Sequence, residues 1–190
     1  MSPQALRVAL KHTDYHSRLR LLHRELGIPP DYARRTGLPV YEEPEELVAT
    51  EPDFLGRPQR LTPPAYAAWV RMRRAAADDG VVLFLVSAFR DLEYQGDLIR
   101  RKLDRGQTIE TILEVNAAPG YSEHHSGRAV DIGTPDCEVL LEKFENTTAF
   151  QWLKRHSADF GFQLSYPVSN AHGIAYEPWH WCYRDSKKSP

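Results

Sequence analysis

Pro119-Gly120-Tyr121-Ser122-Glu123-His124-His125-Ser126-Gly127-Arg128-Ala129-Val130-Asp131-Ile132 is the stretch on which the reading of this chain turns. A turn bearing Gly and Ser presents His124, and Gly127 lets the chain bend into a strand. Successive strand side chains point to opposite faces, so Ala129 and Asp131 share one face and Val130 and Ile132 the other. The aliphatic pair belongs to the core, and the small Ala129 leaves room beside the Asp131 carboxylate. An imidazole from the turn and a carboxylate from the strand therefore converge. A second stretch, Glu177-Pro178-Trp179-His180-Trp181-Cys182-Tyr183, adds His180 and, three residues before it, Glu177.

A catalytic zinc takes three protein ligands and keeps one position open, and mixed His/Asp sets suit it. His124, Asp131 and His180 supply such a set. Glu177 is spaced to take a proton from water as it attacks a carbonyl. Alone, a His-plus-Asp turn is an ordinary polar loop and a Trp-His pair on a strand is packing. The two together, in this order and spacing, point to a metal site.

Outward from these segments the pattern is α+β. Thr62 caps a helix with Pro63 in its first turn, and Ala65, Ala68, Trp69, Met72, Ala75 and Ala76 make its apolar stripe. Val81 to Val86 reads as a buried strand. Asp91 caps a helix on which Leu92, Gln95, Ile99 and Leu103 share a face, with Gly106 as its stop. Shorter helices are expected over Thr108–Val115 and Thr148–Phe160, and strands over 128–133, 162–166 and 178–183. A small, mostly antiparallel sheet flanked by helices follows. Residues 1–60 read differently. A helix is expected over Leu6–Leu26, then prolines at 29, 30, 39, 44, 52 and 58 predict an extended wrap over a catalytic domain of residues 61–190.

Composition limits the function. The chain has 190 residues, 42% apolar, with a net charge of −2, so it can bury a core and carries no basic footprint for nucleic acid. Cys137 and Cys182 are too few for a disulfide scaffold or a cysteine-rich zinc ribbon. No apolar run reads as a secretory leader or a membrane span. The expectation is a cytoplasmic monomer, with periplasmic or extracellular action if a leader was removed.

Other candidates sit near the metal segments. Arg90 lies where a strand meets a capped helix, a place where a guanidinium fork suits a carboxylate or an oxyanion. Gln95 faces inward near it, and a buried amide needs partners. His125 is expected at the rim or behind the ligands, Cys182 as a small buried residue. His12, His16, His23, His156 and His172 have no partners at ligand spacing.

Ser122-x-His124-x-x-Gly127-x-Ala129-x-Asp131 with Glu177-x-x-His180 resembles the LAS metallopeptidases. Ser87-Ala88-Phe89-Arg90, Gln95 and Pro-Gly-x-Ser-Glu-His bring it nearer the VanY-type D-alanyl-D-alanine carboxypeptidases and their L,D-carboxypeptidase relatives. The resemblance covers roughly residues 61–184. It implies zinc on His124, Asp131 and His180, with Glu177 as general base. It implies Arg90 on substrate or oxyanion, substrate contacts from Ser87, Gln95 and Ser122, and a pocket shaped by Trp179 and Tyr183. It also implies a peptidoglycan-derived peptide as substrate and removal of a C-terminal D-amino acid, D-Ala foremost. Ala88 stands where the family has glycine, and Arg128 where it has an aliphatic residue. The alternatives are a cell-wall endopeptidase of the endolysin kind and a zinc-containing binding module without catalysis. Retention of Glu177 and Arg90 speaks against the latter.

Overall fold

A computed structural model of the chain describes residues 14–185. The helix expected over Leu6–Leu26 is present as α1, Tyr15–Leu26, and the earlier part of that expectation lies outside the described residues, as does His12. Asp14 caps α1 by accepting from the Ser17 N–H, and Gly27 ends it in a left-handed conformation. The expected extended wrap is more structured than its prolines suggest. It holds a short helix α2, Tyr32–Thr36, and a strand β1, Val48–Ala49, paired antiparallel with β2, Arg60–Leu61. The connecting loop is tied by Asp53, whose carboxylate accepts from the Leu55 and Arg57 N–H groups, Arg57 Nε and Gln59 Nε2.

α3, Pro63–Asp78, starts after Thr62, which holds the cap position without a side-chain bond. Its expected stripe is buried at Ala65, Ala68, Trp69, Met72 and Ala76, while Ala75 at its edge is only partly buried. The strand expected from Val81 begins later, as β3, Phe84–Ser87. The Val81 N–H is spent on the Ala76 carbonyl at the end of α3, and Val82 lies 55% exposed. Leaving the helix uses the first apolar residues of the run.

α4, Leu92–Leu103, and α5, Ile109–Val115, follow, each with its expected cap: Asp91 accepts from the Tyr94 N–H and Thr108 from the Thr111 N–H. A 3-10 turn, Glu123–Ser126, leads into β4, Ala129–Gly133. The helix expected to Phe160 is α6, Thr148–His156, continued by a separate 3-10 turn over Ser157–Phe160. β5, Phe162–Leu164, and β6, His180–Tyr183, complete the chain. The main sheet runs β3-β4-β6-β5, every pairing antiparallel.

One buried cluster fills the space between this sheet, α3 and α6, with Trp69, Leu85, Ile132, Leu153, Phe162 and Trp181 among its members. A second joins the N-terminal segment to α4 and α5: Leu19, Leu22, Leu26, Tyr32 and Leu38 pack with Leu92, Ile99, Ile112 and Ile174. α1 approaches α4 closely at Gly96, where a Cβ would lie 2.9 Å from Leu22 Cδ1. Among the described residues no helix is long and apolar enough to cross a membrane.

Candidate active site

β4 is the central strand of the site. Asp131 is in register with Ser87 of β3 on one side and His180 of β6 on the other, and a β-irregularity between Leu85 and Ser87 brings Ser87 opposite it. His124 comes from the 3-10 turn, which ends at Gly127 with φ +62°. A Cβ there would also strike Leu47 Cδ2 at 2.8 Å, so both conformation and space require glycine. His124, Asp131 and His180 are each at most 3% exposed, and they offer ligand atoms all within 4.8 Å of one another.

The hydrogen bonds around the rings select the atoms. His124 Nδ1 lies 2.6 Å from the Ala88 carbonyl, which accepts its proton and leaves Nε2 with a lone pair. That lone pair faces Asp131 Oδ2 at 3.2 Å. Burial, then the Arg90 charge, lowers the His124 pKa to about 4, so no proton sits between these two acceptors at neutral pH. A cation between them resolves the conflict. His180 presents Nδ1 to Asp131 Oδ1 at 3.0 Å and Nε2 to Glu123 Oε2 at 3.0 Å. Tetrahedral zinc with bonds of roughly 2.0–2.2 Å separates its ligand atoms by roughly 3.4 Å, close to these spacings. Glu123 then fixes the ring from behind, as carboxylates behind zinc-binding histidines do.

Burial disfavours the His180 charge, but the hydrogen bonds to Asp131 and Glu123 outweigh it and lift its pKa to about 10. The same partners act in the other direction on the acids. Burial alone would raise Asp131 and Glu123. His124 and Arg90 hold Asp131 well below the usual carboxylate range, and His180 and Arg184 do the same for Glu123.

Arg90 reaches the triad through one bond and is held in place by a second. Nη2 donates to Asp131 Oδ2 at 2.6 Å and Nε to Ser87 Oγ at 2.8 Å. Its backbone is clamped by His125, which is fully buried and not at the rim. The Gly120 N–H donates to His125 Nε2, so Nδ1 carries the proton and donates to the Arg90 carbonyl. Burial, chiefly, lowers the His125 pKa to about 4, which keeps this ring neutral.

A cleft of about 420 Å³ opens on the triad, lined among others by Arg90, Gln95, Ser122, Glu177 and Trp179. Glu177 Oε2 lies 3.9 Å from His180 Nδ1. Burial raises the Glu177 pKa to about 7 against the pull of His180. Gln95 is 1% exposed, and its Nε2 donates to the Ala117 carbonyl while its Oε1 has no partner among the described residues. Two expected contacts are corrected. Tyr183 does not shape the cleft. It shares the Trp181 face of β6, opposite His180, and its ring packs on Phe162 at 5.7 Å. Ser87 holds Arg90 and stands outside the cleft lining, as does Arg128.

The sequence reading passed over Glu123 and the groups that bind it: Tyr41, Ser165 and Arg184. An acidic residue directly before a ligand histidine was the available signal. The remaining histidines serve locally. His23 bonds the Pro119 carbonyl, His172 the Thr36 carbonyl, His16 pairs with Glu42, and His156 packs on Trp152.

This geometry coincides with a family match. The VanY D-alanyl-D-alanine carboxypeptidase family profile matches residues 58–186. The chain belongs to the VanY family. A bifunctional D-Ala-D-Ala dipeptidase and D-Ala-D-Ala carboxypeptidase, VanXYC of Enterococcus gallinarum, is 31% identical over 147 residues, covering 75% of each chain. A D-alanyl-D-alanine carboxypeptidase of Enterococcus faecium is 33% identical over 111 residues, 57% of this chain. The matched part is 32% of that relative's length. The solved structure of the LdcB LD-carboxypeptidase superposes with a TM-score of 0.67 at 28% identity, covering 74% of this chain and 69% of that one. The VanY match starts just before β2, so α1, α2 and β1 lie outside it; α1 and α2 pack on its helices, and β1 pairs with β2.

Proposed function

We propose that this chain is a zinc carboxypeptidase that removes a C-terminal D-amino acid, most naturally D-alanine, from short peptidoglycan-type peptides. The observation that carries the reading is the buried His124–Asp131–His180 triad at the base of a cleft, with Glu177 beside it. The VanY relatives' names support the substrate class.

A bound zinc would act as a Lewis acid on the scissile carbonyl and bring the pKa of water near 7. Glu177 accepts the proton of the attacking water and returns it to the leaving amine. A pKa raised by burial to about 7 suits that exchange at neutral pH. Arg90 keeps Asp131 ionised and fixes its carboxylate, and it lines the cleft where substrate would lie. Gln95 Oε1, a buried acceptor without a donor among the described residues, takes a peptide N–H and so orients the chain. Ser122 and Trp179 form the walls beside the ligands. His125 holds the Arg90 backbone in place.

The test is mass spectrometry of products from tetra- and pentapeptide stems incubated with zinc-loaded protein. Loss of one C-terminal D-alanine is expected. Internal cleavage would establish the endopeptidase reading in its place.

A further inference from the structure

Lys102 stands on α4 seven residues after Gln95, two turns along the same face and about 10 Å further down the helix axis. It lines the same cleft, as do Val115, Asn116, Ile174 and Ala175. The side chain is half-buried, yet its ammonium makes no hydrogen bond or ion pair with any described residue. Two other cations, Arg90 in the cleft and Arg100 on the same helix, are engaged: Arg90 is bonded to Asp131 and Ser87, and Arg100 to Glu25 and Asp97. The charges of Glu177 and Arg90 both reach Lys102, which places it within electrostatic range of the reacting groups. Burial opposes its charge, and Glu177 supports it.

A lysine held in a cleft without an anion is a vacant half of a charge pair. Two turns back on the same helix, Gln95 Oε1 is a buried acceptor with no partner among the described residues. An extended peptide rises about 3.3 Å per residue, so a chain whose amide meets Gln95 carries a carboxylate to Lys102 within about three residues. We propose that Lys102 is a specificity-determining residue that pairs with a carboxylate of the peptide substrate. This assignment rests on the peptidase reading above. The carboxylate has two sources, the peptide's own C-terminus and the free carboxylate of an acidic residue upstream of the scissile bond.

The experiment uses the zinc-loaded full chain, wild type, Lys102→Gln and Lys102→Arg, on three peptides. The first is L-Ala-γ-D-Glu-L-Lys-D-Ala-D-Ala, the second its C-terminal amide, and the third the form with the D-Glu α-carboxylate amidated. On the first, Lys102→Gln should raise KM by roughly 10- to 100-fold, the scale of a charge-assisted bond, with kcat within about threefold. Lys102→Arg should recover most of the loss. One amide should be as poor for wild type as for Lys102→Gln, and that amide names the carboxylate. Unchanged KM in Lys102→Gln, or an equal loss on all three peptides, overturns the assignment alone. Failure of wild type to hydrolyse any of them overturns it together with the peptidase reading.

Discussion

Replacing Glu123 by glutamine tests how the ligand His180 is held. The carboxylate accepts four donors: Tyr41 Oη and Arg184 on Oε1, Ser165 Oγ and His180 Nε2 on Oε2. Glutamine has one acceptor oxygen and two N–H donors. The Tyr41 and Ser165 hydroxyls can turn and accept from the new amide, whereas Arg184 and the His180 N–H only donate. The Arg184 side chain is 40% exposed and can move into water, while His180 is buried. The amide oxygen therefore turns to His180, and the Arg184 pair is lost. A neutral acceptor polarises the imidazole less, and changes behind a metal ligand typically weaken binding about 10- to 100-fold, or roughly 1.4–2.8 kcal/mol. Competition with a chromophoric chelator measures the affinity. A thermal melt of the zinc-free protein should separately show a loss of about 1–3 kcal/mol. Glu123→Ala, with no acceptor at all, should bind zinc more weakly still. Zinc affinity within twofold of wild type in both variants would refute the argument that Glu123 orients the ligand.

Two further outcomes follow from single side chains. Glu177→Gln should keep its zinc and lose at least about 100-fold in kcat, because the amide cannot take the proton; equal turnover removes Glu177 from the chemistry. Asp53 is predicted to make stability pH-dependent. Burial would raise its pKa, but the bonds from Arg57 and Leu55 outweigh that and the net shift is downward. A folded-state pKa below the unfolded value of 3.8 gives stability that is present above that value and lost as pH falls through the folded pKa. Asp53→Asn should thus cost about 1–3 kcal/mol in urea melts at pH 7 and less as pH falls below 3.8 through the folded-state pKa. An equal cost across that fall in pH would contradict this.

Much of the site was legible because its residues are close in sequence and alternate on strands. Ala129 and Asp131 share a face of β4 by period alone, and Glu177 and His180 stand in one turn. What the chain order hides is how separate segments meet. The position of β3 depends on how α3 ends, which the apolar run Val81–Val86 does not encode. The family resemblance implies Tyr183 as a cleft residue, but strand alternation turns it into the core. Tyr41, Ser165 and Arg184 reach Glu123 from three distant segments, so no local spacing announces them. Lys102 was visible in principle as the seventh residue after Gln95. That it faces a cleft depends on α5 and the loop at Ile174.

The central claim is that one metal ion on His124, Asp131 and His180 makes this chain a peptidase. Stripped of metal and titrated with zinc, the protein should gain activity on a D-Ala-D-Ala peptide linearly up to a break at one equivalent per chain. His124→Ala should show neither the break nor the activity. Full activity in the zinc-free protein, or in His124→Ala without zinc, would contradict the account.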